Sequence, residues 1–350
     1  MALLISATFA SGVSRADAPR KDATSSTRTK TAATSTDYIV IDAGSSGTRI
    51  MRHKLEKPMP RQCGADAGKD IGTDPNLQKT GLADVYCGSS SATGNTSAED
   101  MAKSLNKQLE DSKVPRDHVS LLGTGGFRKQ VNDECWKRLE AALEAHIADM
   151  EVISGDKEAE YAWLAAAPQL MEKKEGFSIL EIGNASVQFA TGVPGSSPVG
   201  MSAGLEEGLT NTDARNSCGL GDDPSKLDFK ACRTAISAVL SSDSKFIQTV
   251  SEMVRKSPGR PVYGAGSWAQ GAKSTKVIGG VARDTVSVDV VEEKGPKACM
   301  SGPRKHCFAA AYTAALLPRL EKSGISTIYV LDPSPSWTRG AVTAKACPSK

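Results

Sequence analysis

The sequence predicts an α/β protein built from two similar halves. Three observations carry that reading. Strand-like apolar runs alternate with segments of helical spacing, the pattern of an α/β architecture. One short pattern occurs twice, as VIDAGSSGT at 40–48 and LEIGNASVQ at 180–188. Each copy is an apolar strand ending on an acid, then an apolar residue, a glycine and a small turn with hydroxyls. The length of 350 residues suits two domains rather than one.

In order, Tyr38 to Ala43 reads as a buried strand and Arg49 to Leu55 as its hairpin partner. Residues 58–96, rich in Gly, Asp, Ser and Pro, read as a long disulfide-tied excursion. Helical spacing follows over 98–112, then a short strand, Val119 to Leu122, ending at Gly123-Thr124-Gly125-Gly126. Residues 133–148 form an amphipathic helix with apolar residues three and four apart. Glu151 to Ile153 is a strand, after which Ser154 is placed to cap the next helix. Phe177 to Ile182 is a second buried strand, residues 194–226 are loop-rich, and 228–255 are mostly helical. Val262 and Tyr263 lead into Gly264-Ala265-Gly266. A helix near 306–321, a strand from Ser326 to Leu331 and a helix from Trp337 complete the chain.

Apolar residues make up 39% and charged residues 24%, with a net charge of +3. So small an imbalance, without a Lys/Arg-rich run, excludes nucleic acid and anionic lipid as expected partners. No segment after the N-terminus has the ~18 consecutive apolar residues of a membrane span. Residues 2–10, ALLISATFA, followed by Ala16-Asp17-Ala18, resemble a clipped signal peptide. Residues 19–36 are small and polar and read as a disordered linker. The eight cysteines avoid zinc-site spacings and suit disulfides in an oxidising compartment. Local pairings expected are Cys63 with Cys87, Cys218 with Cys232 and Cys299 with Cys307, leaving Cys135 and Cys347. Export to the extracellular space or periplasm is the corresponding expectation.

The paired turns define the expected chemistry. Successive N–H groups in a Gly-rich turn form a nest for anions, and the hydroxyls of Ser45, Ser46 and Thr48 add donors. Asp42 and Glu181, at the heads of the two turns, can hold a hydrated Mg²⁺ or Ca²⁺ between them. GTGGFR at 123–128 ends in Arg128, which can pair with phosphate oxygens. ISGDKEAEYAW at 153–163 sets Glu158 and Glu160 early in a helix, where a carboxylate can deprotonate a water attacking a terminal phosphate. Spacing alone does not choose between them. Asn95-Thr96-Ser97 is a glycosylation sequon; Asn184-Ala185-Ser186 also matches but lies in the expected phosphate loop.

These segments, with SWTRGA at 336–341, occur in an order that resembles the nucleoside triphosphate diphosphohydrolase (apyrase) family over about residues 37–345. The resemblance implies two actin-like (RNase-H-type) α/β domains with an interdomain cleft: 37–160 plus 330–350, and 161–329. It implies metal-dependent hydrolysis of nucleoside tri- and diphosphates, with Mg²⁺ or Ca²⁺. Carried over by position, Gly44, Ser45, Ser46, Gly47 and Thr48 bind phosphate, supported by Thr124 and Arg128. Gly183, Asn184, Ala185 and Ser186 form the second phosphate loop. Gln188 positions the nucleophilic water, with Ser186 beside it in the catalytic set. Asp42 and Glu181 hold the metal through water. Glu158, five residues before Trp163, aligns with the catalytic base, and Glu160 is then a bystander. Three positions depart from the family pattern: Glu181 for Asp, Asn184 for Gly and Ala159 for Gly. The alternatives are an exopolyphosphatase-like phosphohydrolase and a nucleotide-binding module that has lost catalysis. Tyr263, Trp268 and Tyr312 are candidates for base contacts.

Overall fold

The computed structural model describes residues 36–44, 47–56, 64–65, 68–72, 81–87, 97–130, 132–182, 186–194, 196–204, 212–219, 223–242, 244–266, 285–286, 288–301, 304–331 and 334–347. The N-terminal segment expected to be signal and linker lies outside them up to residue 35, as do Cys63 and the sequon residues Asn95 and Thr96.

Two hairpins organise the chain. Strand β1 (Thr36–Gly44) pairs antiparallel with β2 (Gly47–Glu56), which also carries the short β3 (Gly64–Ala65) and β4 (Lys69–Asp70). Helix α1 (Leu82–Cys87) and α2 (Ala98–Ser112) precede β5 (Val119–Gly123), which lies parallel to β1. Ser97 caps α2 by accepting from Asp100 N–H at 3.1 Å. Helices α3 (Gly125–Gln130) and α4 (Asp133–Leu143) lead to β6 (Asp149–Val152), parallel to β5. Helix α5 (Gly155–Ala166) leaves the first sheet, capped by Ser154 as expected.

The second hairpin is β7 (Phe177–Ile182) with β8 (Ser186–Gly192), and β9 (Val199–Gly204) adds to β8. Helices α6 (Thr212–Ser217), α7 (Phe229–Ser242) and α8 (Ser244–Lys256) precede β10 (Val262–Ala265), parallel to β7. The chain ends with β11 (Thr285–Val286), α9 (Val288–Ser301), α10 (Arg304–Lys322), β12 (Ile328–Val330) and α11 (Trp337–Ala346). Among the described residues the sheets run β3-β2-β1-β5-β6 and β9-β8-β7-β10-β12-β11. The duplicated sequence pattern is therefore a duplicated topology. In each sheet a hairpin's first strand stands at the centre and takes a parallel neighbour on its other side.

Alternation along the central strands decides what each face meets. Ile39, Ile41 and Ala43 of β1 point into a core closed by α1 to α4. Leu180 and Ile182 of β7 point into a core closed by α7 to α10. The opposite faces, with Val40 on β1 and Phe177 and Ile179 on β7, share a middle core with α5 and α11. Trp163 fixes α5 there. It stacks on Phe177 at 4.5 Å and donates Nε1–H to Phe177 O at 3.0 Å. The SWTRGA segment acts as packing. Gly340 lets α11 approach α5 so closely that a Cβ would lie 1.7 Å from Tyr161 O. Thr338 Oγ1 meets the buried His53 Nε2 at 3.0 Å.

Two expectations are corrected and one is refined. Cys87 pairs with Cys135 rather than Cys63, tying α1 to the start of α4. Cys218–Cys232 and Cys299–Cys307 form as expected, and Cys347 is also disulfide-bonded. The 194–226 stretch, read as loop-rich, also carries β9 and α6. Tyr312 is fully buried in the core under α10 and cannot reach a base.

Candidate active site

Period-two alternation puts Asp42 on the same face of β1 as Val40, and Glu181 on the same face of β7 as Ile179. Both acids therefore face the middle layer, at the C-terminal ends of their strands. The hairpins also match in register. Asp42 sits opposite Arg49 on β2, and Glu181 opposite Gln188 on β8. Glu158, in the first turn of α5, faces the same layer, and all three carboxylates are buried.

Their environment is costly for charge. Burial pushes Asp42 above its usual value, and Arg49, 2.8 Å from Asp42 Oδ2, opposes the shift. Burial raises Glu158 to about 7; Asp42 adds to the rise, while Arg128 and a hydrogen bond from Gln188 counter it. Burial raises Glu181 to about 8, reinforced by Glu158 and Asp42. Glu181 Oε2 is buried without a hydrogen-bond partner among the described residues. A buried acceptor in that state ordinarily costs about 1–3 kcal/mol, more when ionised. Protonation or a cation relieves it.

Arg128 links the site to the first sheet. It donates from Nη1 to Ile153 O at 2.8 Å and pairs from Nη2 with Glu158 Oε2 at 3.1 Å. Here it holds a carboxylate rather than standing free for phosphate. Thr124 is buried and tied to the end of β1, donating both N–H and Oγ1–H to Ala43 O. Thr48 is buried and accepts from Leu82 N–H at 3.3 Å, so α1 anchors the first turn. Gly47, at φ 134°, adopts a conformation other residues avoid, and Gly44 closes the turn opposite it. Ser186 and Gln188 are buried on β8, and Gln188 Nε2 donates to Ser186 Oγ at 2.5 Å.

Asp42, Glu158, Glu181, Gln188, Arg128 and Ser186 thus gather at one edge of the middle layer. Glu160 faces away and pairs with Lys157 at 3.1 Å. Ser45, Ser46, Gly183, Asn184, Ala185 and Trp268 lie outside the described residues. Tyr263 packs between Phe177 and Tyr329. Two residues without a role in the sequence reading join the site. Arg49 pairs with Asp42, and the seven-residue hairpin register was the signal for it. Gly266 abuts Glu181, since a Cβ there would lie 2.8 Å from Glu181 Cγ. The Ala159 departure is matched locally: Ala159 packs on Gly200 of β9, where an added Cβ would lie 2.9 Å from its own.

No protein-family model and no curated protein matches the sequence. Solved structures do resemble the fold. The Aquifex aeolicus member of the Ppx/GppA protein family is 15% identical at TM-score 0.57, over 89% of this chain and 98% of that one. An exopolyphosphatase from Cytophaga hutchinsonii is 13% identical at TM-score 0.55, over 90% and 99%. A nucleoside triphosphate hydrolase from Neospora caninum stands further off, 14% identical at TM-score 0.47, over 88% and 92%. At these identities the likeness is one of fold. The chain has the actin-like architecture of two α/β lobes, each carrying one of its paired hairpins.

Proposed function

We propose that this chain is a divalent-cation-dependent hydrolase of phosphoric anhydrides, and that it acts as an apyrase on nucleoside tri- and diphosphates. The observation that carries the reading is the convergence of Asp42, Glu158 and Glu181 from two equivalent hairpins and one helix. A cation fits the residues present. The donor set is oxygen only, which suits Mg²⁺ or Ca²⁺, and Glu181 Oε2 is buried without a partner among the described residues. Among the described residues no cluster of three or more His, Cys, Asp or Glu closes directly round an ion. Asp42 and Glu181 would therefore hold the cation through water. When bound, it neutralises charge on the phosphate oxygens.

The chain's own groups do the remaining work. Gln188 and Ser186 hold the attacking water beside Glu158. Glu158 accepts the water's proton as the new P–O bond forms and the bond to the bridging oxygen breaks. Arg128 keeps that carboxylate in one orientation. N–H groups and hydroxyls of 44–48 and 183–186 receive the phosphate oxygens. The domain division at 37–160 plus 330–350 and 161–329 belongs to the same proposal. So does export to the extracellular space or periplasm, which the paired cysteines support.

A second reading is favoured by the likeness to Ppx/GppA and exopolyphosphatase structures: a polyphosphate hydrolase with the same site. The sequence segments GDKEAEYAW and SWTRGA favour the apyrase. Phosphate release from ATP, ADP and long-chain polyphosphate, with Mg²⁺, with Ca²⁺ and with EDTA, separates them. The apyrase reading expects cation-dependent release from both nucleotides. Release from polyphosphate alone replaces it with the second reading, and release from none removes both.

A further inference from the structure

We propose that β9 sets the position of Glu158, and that Asp156 is the positioning residue through which it does so. The inference rests on the reading of Glu158 as the base. Gln188 on β8 pairs in register with Glu181 on β7 and with Ser202 on β9. Glu181, Gln188 and Ser202 therefore form one row across three strands. Beyond that row β9 is the edge of the sheet, where a backbone N–H not used by the ladder needs another partner. Ser202 N–H finds it in Asp156 Oδ1, at 3.0 Å.

The contact is built for close approach. A Cβ on Gly155 would lie 1.7 Å from Ser202 Oγ. A Cβ on Gly200 would lie 2.3 Å from Asp156 O and 2.9 Å from Glu160 N. The first turn of α5 thus rests on β9 backbone on both sides of Glu158, whose own N–H bonds to Ser154 O at 3.0 Å. Asp156 locks the base in register with the row that carries Gln188 and Glu181. Arg128, by contrast, reaches Glu158 from α3, and Asp42 faces it from β1. The base is held from both halves of the fold.

An acid in the first turn of a helix also offsets the helix dipole, and two variants separate that role from positioning. Asp156→Asn keeps the Oδ1 acceptor and removes the charge. Asp156→Ala removes both, at an exposed position. The full-length wild type and both variants are compared with Mg²⁺ and whichever of ATP, ADP or polyphosphate the wild type cleaves. The expected result for Ala is a fall in kcat of about tenfold with KM within about twofold, since misplacements near 1 Å cost up to about a hundredfold. Its acid limb moves to lower pH, because water reaches Glu158. The expected result for Asn is kcat within about twofold of wild type. Equal losses in Ala and Asn, or no loss in Ala, overturn the proposal. If the wild type cleaves none of the three, the hydrolase reading fails separately. The positioning claim is then decided by carbon-13 NMR titration of Glu158, assigned with Glu158→Gln. A midpoint lowered by Ala and kept by Asn supports it, and an unmoved midpoint in Ala overturns it.

Discussion

Replacing Glu181 with Gln removes a charge from the driest part of the site while keeping its shape. Below pH 4.5 Glu181 is protonated in the folded and the unfolded chain, so the two proteins differ little. As pH rises, the unfolded chain ionises first, because the folded carboxyl titrates at about 8 rather than at the model-peptide 4.5. A raised folded pKa contributes stability that is lost as pH climbs through that window. The gap of about 3.5 pH units, at about 1.4 kcal/mol each, sets a ceiling near 5 kcal/mol above pH 8. Water admitted on relaxation lowers this to about 2–4 kcal/mol. Glutamine carries no such penalty and also relieves the repulsion from Glu158 and Asp42. Urea denaturation in EDTA at pH 4.5, 6.5 and 8.5 reads the difference. The variant should match wild type at pH 4.5 and exceed it by about 2–4 kcal/mol at pH 8.5. Added Mg²⁺ should narrow that gap by favouring the ionised wild type. A gap that does not grow with pH, or a less stable variant at pH 8.5, refutes the argument.

Other predictions follow from the same contacts. Arg128→Ala removes the guanidinium that holds the Glu158 pKa down, so the acid limb of kcat/KM should move to higher pH; a downward move contradicts it. Gly340→Ala forces a Cβ toward Tyr161 O and should cost more than about 3 kcal/mol in denaturant midpoints. Removing the Cys87–Cys135 bridge, which closes a span of 48 residues, should cost about 4 kcal/mol in thermal or urea unfolding. A loss below about 1 kcal/mol would show that α1 and α4 are held mainly by packing.

The central strands β1 and β7 were legible because each condenses into one short segment: Asp42 and Glu181 each end a run of apolar residues, and only the first strand's hairpin partner could be read as well. Helices α2, α4 and α5 were legible from caps and spacing. Strand β9 was not. VGMSAG carries two glycines where a strand ordinarily carries β-branched residues. Gly200 is there because α5 lies on the backbone, a requirement set by a helix 40 residues earlier. Helix α9 was missed as well, with Pro296 and Gly295 inside it. The Cys87–Cys135 pairing joins helices whose adjacency is tertiary, so sequence distance misled. Tyr312 lies in the apolar middle of its helix, FAAAYTAALL, and that run is what buries it. In the site, the acids and Arg128 were readable, but Arg128's pairing with Glu158 and the whole role of Arg49 were not. Arg49 and Arg128 gain their roles from register and from the strand–helix turn at Ile153.

Glu158 as the base between two cation-holding acids is the central claim. Its most direct test is phosphate release from ATP and ADP by wild type and Glu158→Gln, beside Mg²⁺–nucleotide affinity for both. The expected result is cation-dependent release in wild type, a loss of at least about a thousandfold in the variant, and affinity within a few-fold. Release that survives in Glu158→Gln would contradict it.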